Sequence, residues 1–286
     1  MTSRQDQRVA ENAKAVQVGG NYTDTTTNNY NGLSAAGLSD VIKTLYEMNM
    51  PQLQEAAAEK AFERVKALND KLVERVTKLE AEIDPDRFSE PNVQYHLQQA
   101  AIETARHGEK ANTDILADLL AELIRKERSD LYDMAVSQAL KVTPSISTTQ
   151  LDFLILLEIA TNLVMPNSTL ARLEYSVSNM MNNFANIKHL TESDKSYLVS
   201  LGAIERLGII QTGFIPSIMQ ECLEIKDLKF DAVEQIVLNS TFRGLEQLLS
   251  LTKNRHYQNN IIGQVIGLTG LKSYTGIDVR DAFMSK

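Results

Sequence analysis

Apolar side chains recur at steps of three and four residues through most of this sequence, which is the period of amphipathic α-helices. The longest such stripe covers residues 61–83 and includes Leu68, Leu72 and Val76, with Lys, Glu and Asp between the apolar positions. Its narrow apolar face resembles the seam of a coiled coil over about three heptads. The pattern leaves two alternatives, a long amphipathic helix that lies on a helical bundle or a seam through which two copies associate.

Residues 151–165, LDFLILLEIATNLVM, form the most apolar stretch of the chain, and Asp152 and Glu158 are their only charges. A helix that is apolar on all sides is either a core helix or a membrane span. A helix of this length rises about 22 Å, which is too short to cross a bilayer. Ser147 and Gln150 have the spacing of a capping box, and Pro166 ends the pattern. We therefore predict a buried central helix here.

The other periodic segments predict a mostly helical chain. Pro91 and Gly108 mark the two ends of one helix, and Ser129 is placed to cap another, whose apolar positions include Leu131 and Met134. Further helices are predicted at residues 40–49, 113–126, 170–187, 191–202, 216–225 and 231–251, followed by an apolar helix punctuated by glycines. The fold class that follows is all-α, an irregular multi-helix bundle with a long amphipathic N-terminal helix.

Two segments lack a helical period. Residues 16–38 hold a single charge and are rich in Thr, Asn and Gly, which predicts either a disordered linker or a β-prone strip. Residues 203–215 contain short apolar pairs and glycines, which predict either a small hairpin or an extended loop. With Ser39 as the N-cap of the first helix, we predict a flexible low-charge segment at 1–38 and a helical domain at 39–286, with any sub-division near residue 166 or 190.

The net charge is −8 and the isoelectric point about 5.2, which argues against nucleic acid and against anionic membrane surfaces as partners. Cys222 is the single cysteine, so no disulfide can form within the chain, and the sequence suits a reducing compartment. The N-terminus lacks the apolar region of a signal peptide, and no run is long and apolar enough to span a membrane. A cytoplasmic protein is expected.

Candidate catalytic and metal-binding residues are few. His96 and His107 would lie about 16 Å apart along a helix, too far to share a metal ion, so we interpret them as ordinary surface or helix-end histidines. Asp114, Asp118 and Glu122 form an acidic stripe followed by bases, which indicates a solvated face that complements the helix dipole. No nucleophile, phosphate-loop or zinc motif occurs. No catalytic, cofactor or metal site is therefore predicted, and a non-enzymatic protein is favoured over an enzyme.

The N-terminal strip begins with Val16, Gln17, Val18 and Gly19, in which apolar and polar side chains alternate. If copies stacked in register, the two valines would form a dry zipper and the amides of the strip would form ladders. The tetrad is similar to the core of the RIP homotypic interaction motif, a β-stacking signal of necroptosis proteins and of some bacterial defence proteins. A flexible tail is the alternative, because the glycines and Asp24 lower the β-propensity.

Several blocks of the chain resemble a bacterial protein family that is known mostly by locus tags and described as of unknown function. The blocks read GGNYTDTTTNNYNGLS, MPQLQEAAAEKAFERV, FSEPNVQYHLQQA, DILADLLAELIRKERSDL and TGLKSYTGID. The resemblance covers most of residues 16–280 and implies an all-helical cytosolic protein, with no catalytic residue to carry over. The segment rich in glycine and asparagine also recurs in proteins of phage-defence neighbourhoods.

The sequence therefore predicts a non-enzymatic protein–protein interaction or scaffold protein that self-associates. The predicted interaction residues lie at 16–19 and in the stripe that contains Leu68, Leu72 and Val76. The alternative is an effector or regulator of a bacterial phage-defence or toxin system that is switched by assembly. An enzyme with an acid site at Asp114 or Asp118, and a winged-helix module for nucleic acid at 191–215, rank below these two. The predicted partner is a protein or a second copy of this chain. No nucleic-acid partner, cofactor or membrane span is predicted.

Overall fold

The computed structural model describes residues 35–49, 55–126, 129–162, 175, 178, 181–207, 228–239, 242–252 and 256–275. These residues are mostly helical, as predicted, with one small antiparallel sheet. The α-helices are α1 (Ala35–Asn49), α2 (Glu55–Lys78), α3 (Pro91–His107), α4 (Thr113–Leu123), α5 (Asp130–Val142), α6 (Thr148–Asn162), α7 (Glu192–Ser200), α8 (Phe230–Leu238), α9 (Phe242–Leu251) and α10 (Ile261–Thr275). The strands are β1 (Ile204–Arg206) and β2 (Tyr257–Asn259). Short 3₁₀ helices lie at Glu80–Glu82, Pro85–Ser89, Gly108–Ala111, Thr143–Ser145, Asn182–Phe184 and Ile187–His189.

Local sequence signals set the ends of the best-predicted helices. Pro91 is the first residue of α3, and Gly108 ends that helix in a positive-φ conformation (φ 62°) that favours glycine. Before α6, the backbone N–H of Ser147 donates to Gln150 Oε1 at 2.9 Å, and the N–H of Gln150 donates to Ser147 Oγ at 3.2 Å. These reciprocal bonds are the predicted capping box, so that α6 begins three residues earlier than the apolar pattern alone suggested.

The centre of the fold is a pair of antiparallel helices, α6 and α10. Every side chain from Leu151 to Ile159 is buried, which confirms the predicted central helix within the described residues; 163–165 lie outside them. Gly267 of α10 packs directly on α6, where an added Cβ would lie 2.5 Å from Glu158 Cγ and 2.9 Å from the carbonyl oxygen of Leu154. The glycines of α10 therefore permit an approach that larger residues would prevent.

The remaining described helices surround this pair. The long amphipathic helix α2 packs against α1, α3 and α4, while α10 also contacts α4 and α5. Ile83, the last apolar position of the predicted stripe, is not in α2 but forms an isolated β-bridge with Arg125. α2 ends at Lys78, and the N–H of Asp84 donates to the carbonyl oxygen of Ile124 at 2.9 Å, which holds the segment after α2 against the end of α4.

Three predicted boundaries were wrong. The first helix begins at Ala35, so Ser39 lies inside α1 and is not its N-cap. The end of the predicted helix 170–187 consists of 3₁₀ turns, although Phe184 and Ile187 are buried as expected. The predicted helix 231–251 is divided into α8 and α9. In each case a helical period in the sequence did not fix where the helix begins or ends.

The strand predicted near residues 203–215 exists, but its partner is distant in the sequence. Ile204 pairs with Asn259 and Arg206 with Tyr257, in antiparallel register. The sheet therefore joins β1 to the residues that precede α10; residues 208–215 of the predicted hairpin lie outside those described. This pairing fixes the start of α10 against α6, since Asn259 Nδ2 donates to Glu158 Oε1 at 2.6 Å.

Candidate functional site

The acidic stripe of α4 faces the protein interior over most of its length. Asp114 is exposed, but Asp118 and Glu122 are buried. The prediction of a solvated face was therefore wrong for the last two residues. The physical reason is that α2 and α10 both pack against α4 and cover that side of it.

Each acid of the stripe has a basic partner. Lys71 Nζ lies 2.7 Å from Asp114 Oδ2, Arg75 Nε lies 3.1 Å from Asp118 Oδ1, and Arg125 Nη1 lies 3.2 Å from Glu122 Oε1. Across the described ranges, no three His, Cys, Asp or Glu side chains are grouped so that they could share a metal ion. The geometry is that of an ion-pair network, in which cationic side chains hold the positions that facing carboxylates would need in a metal cluster.

Lys272 of α10 extends this network into the centre of the fold. Burial lowers the pKa of its ammonium group, and the negative charge of Asp118 opposes that shift. Arg125 also pairs with Glu82, which follows α2. The network therefore connects α2, α4 and α10, and its acidic and basic groups compensate one another.

We expect Asp118→Asn to lower the free energy of unfolding by about 1–2 kcal/mol, because the buried partner of Arg75 loses its charge. The measurement is urea denaturation at pH 7. Asp114→Asn is the matched control, since its exposed ion pair contributes at most about 1 kcal/mol. A tight divalent-metal site that disappears in the Asp118 variant would instead identify the stripe as a metal site.

The exposed face of α5 carries the second candidate site. Ala135 and Ala139 are buried, but Leu131 and Met134 are 63% and 65% exposed. The apolar positions predicted for this helix thus occupy two faces, and only one of them faces the core. Leu131 and Met134 are three residues apart, so their side chains are neighbours on the helix surface.

A cleft of about 600 Å³ lies between α3 and the end of α5. Its wall on α3 includes Tyr95, Gln99 and Glu103, which follow one another at one-turn spacing. Lys141 of α5 and Tyr197 of α7 line it from other sides. No local sequence pattern indicates this cleft, because its lining comes from three helices that are separate in the sequence.

The two histidines of α3 have different environments. His107 Nε2 lies 3.4 Å from Glu103 Oε2 at the rim of the cleft, and the side chain is accessible as expected. His96 is buried, so its prediction as a surface or helix-end residue was wrong. Burial, together with the charge of Lys141, lowers the pKa of His96 to about 4, which keeps the imidazole neutral at pH 7.

The predicted interaction residues fall into two groups. Val16, Gln17, Val18 and Gly19 lie outside the described residues, as does Cys222. Leu68 and Leu72 are buried in the core of the chain, and Val76 is partly buried at its edge. The observed packing is that of the first alternative for this stripe, a long helix that lies on the bundle.

The described helices include none that is both long and apolar enough to cross a membrane. In comparisons with known proteins, the model of an uncharacterised family named after a locus tag matches residues 32–262. This stretch contains the ion pairs of the α4 network, the exposed face of α5 and the cleft, whereas residues 16–19 precede it and Lys272 follows it. No curated protein and no solved structure matches the chain.

Proposed function

We propose that this chain, which belongs to an uncharacterised protein family named after a locus tag, is a non-enzymatic interaction protein that self-associates. The observation that supports this function best is the exposed apolar pair Leu131 and Met134 on α5. The resulting surface would be the same on both copies, as in a two-fold symmetric dimer.

The pattern of exposure along α5 supports an interface. The accessible positions Leu131, Met134, Gln138 and Lys141 recur at steps of three and four residues and so form one continuous face. Single exposed apolar residues are normal on protein surfaces, but adjacent ones form a patch that a partner can cover. Burying a leucine and a methionine contributes about 1.5–3 kcal/mol each, before the entropic cost of association.

The ion pairs of the α4 network favour a structural role for its acidic stripe. Asp118 and Glu122 are each engaged by an arginine, so neither is poised as a general base next to an open site. This arrangement supports the non-enzymatic alternative, with interaction through surfaces rather than chemistry at a buried acid.

Light scattering of the full chain tests the proposal. We expect a mass above that of one chain, and a fall towards one chain when Leu131 and Met134 are both changed to Asp. Leu251→Asp is the matched control, because Leu251 is also exposed but lies on α9. A wild-type chain that is monomeric at every concentration would contradict self-association.

A truncation separates the two predicted sources of association. Deleting residues 1–34 removes Val16–Gly19 but leaves α1, which begins at Ala35. If the truncated chain alone loses the higher mass, association depends on the N-terminal strip rather than on α5. A role in phage defence or toxicity stays a prediction of the sequence, and growth of cells that express the chain, with and without phage, tests it.

A further inference from the structure

The cleft between α3 and α5 has an excess of positive charge in a chain whose net charge is −8. Glu103 is its acidic group, and both Arg106 Nη1 (3.0 Å) and His107 Nε2 (3.4 Å) lie close to that carboxylate. Lys141 makes no ion pair with any residue that the structure describes. A cleft of this charge attracts anions, although the net charge of the chain repels them.

Basic residues in the last turn of a helix often only complement the helix dipole. At the C-terminal ends of α3 and α5, other side chains already donate hydrogen bonds to the backbone carbonyl groups. Arg64 donates to two carbonyl oxygens in the last turn of α3, at 2.9 Å each, and Asn112 donates to the carbonyl oxygen of Thr143 just beyond α5, at 2.9 Å. Lys141 is therefore available to a ligand in the cleft, and Arg106, whose Nη1 pairs with Glu103, adds positive charge beside it.

Two exposed tyrosines add flat apolar surface to the same cleft. Tyr95 is 46% exposed and Tyr197 is 42% exposed, and they belong to different helices. The ring of the buried His96 forms a T-shaped contact with Tyr95, with ring centroids 5.1 Å apart and planes at 77°, which restricts the tyrosine ring. A restricted aromatic ring on a cleft wall is a platform on which a planar ligand can stack.

We propose that this cleft binds a small anionic ligand with a planar ring, of the chemical class of a nucleoside monophosphate. The anionic group would bind Lys141, with Arg106 beside it, and the ring would stack on Tyr95. The volume of about 600 Å³ falls within the range of about 300–1,000 Å³ that small-molecule sites occupy. Lys141 lies at the C-terminal end of the α5 face that carries Leu131 and Met134, but neither of those two residues lines the cleft.

Isothermal titration calorimetry of the full chain with AMP tests the proposal. We expect saturable binding that is weakened about tenfold or more by Lys141→Ala, which removes a charge-assisted hydrogen bond, and about tenfold or more by Tyr95→Ala, which removes the stacking surface. Lys188→Ala is the matched control, since this exposed lysine does not line the cleft. Unchanged circular dichroism establishes that each variant is folded.

Three further titrations separate the parts of the ligand. Inorganic phosphate and adenosine should each bind more weakly than AMP, because each lacks one of the two contacts. Absence of AMP binding at millimolar concentration would overturn the proposal, and so would binding that Lys141→Ala leaves unchanged. Tighter binding of a 5′-phosphorylated single-stranded oligonucleotide than of AMP would also overturn it, since the site would then belong to a nucleic-acid strand.

Discussion

Gly263→Ala is expected to destabilise this protein strongly, although replacing glycine by alanine inside a helix usually stabilises it by about 1 kcal/mol. A Cβ at position 263 would overlap the carbonyl oxygen of Ala203, which precedes β1. That carbonyl cannot readily move away, because it accepts a hydrogen bond from the N–H of Asn260 at 3.1 Å. We expect a net loss of about 2 kcal/mol or more in the free energy of unfolding, since the clash is with backbone.

Urea denaturation of two glycine variants measures this effect. Gly244→Ala in α9 is the matched control, because its added Cβ would lie 3.1 Å from the terminal methyl of Met181, which can rotate away. We expect that variant to be as stable as the wild type or slightly more stable. If Gly263→Ala were equally tolerated, α10 would not be packed against Ala203 as the structure shows.

The two central helices differ in how far their packing could be predicted from the sequence. Residues 151–159 are apolar on all sides, and this property alone places them at the centre. The role of α10 was not predicted, because Gly263, Gly267 and Gly270 weaken its helical pattern when the chain is considered locally. Gly267 and Gly270 allow close packing on α6, more than a hundred residues earlier in the sequence, and Gly263 allows close packing on Ala203.

The candidate sites show the same division between local and long-range information. Capping signals at Ser129 and Ser147 act within a few residues, and both predicted caps are present. The burial of Asp118 depends on α2 and α10, and the exposure of Leu131 depends on which face of α5 the core covers. A helical wheel shows that a helix has two faces, but it cannot show which face other helices will cover.

A buried carboxylate near one end of the α6–α10 pair makes the stability of the fold depend on pH. Tyr274 Oη donates to Asp152 Oδ1 at 2.5 Å, while Asp152 Oδ2 has no hydrogen-bond partner among the described residues. Burial raises the pKa of Asp152 to about 6, and the Tyr274 hydrogen bond opposes that shift. In the unfolded chain an aspartate has a pKa of about 3.9.

The sign of the effect follows from these two pKa values. Between about pH 4 and pH 6 the folded protein binds more protons at Asp152 than the unfolded chain does, so the free energy of unfolding falls as the pH rises. Above about pH 6 the ionised carboxylate lowers the free energy of unfolding by its full amount, which is on the order of 3 kcal/mol for a difference of about two pKa units. An ionised Asp152 therefore destabilises the fold at neutral pH.

We expect Asp152→Asn to be more stable than the wild type at pH 8, by up to about 3 kcal/mol, and to lose this advantage at pH 4. The amide has the same shape, and its oxygen can still accept the hydrogen bond from Tyr274. Denaturant titrations of both proteins from pH 4 to pH 8 provide the measurement, with the exposed Asp70→Asn as the control. Tyr274→Phe should act in the opposite direction, since loss of its hydroxyl raises the pKa of Asp152 further. If Asp152→Asn were less stable than the wild type by the same amount at pH 4 and pH 8, the Asp152 side chain would stabilise the fold only through packing or hydrogen bonds. Its ionisation would then have no effect on the free energy of unfolding.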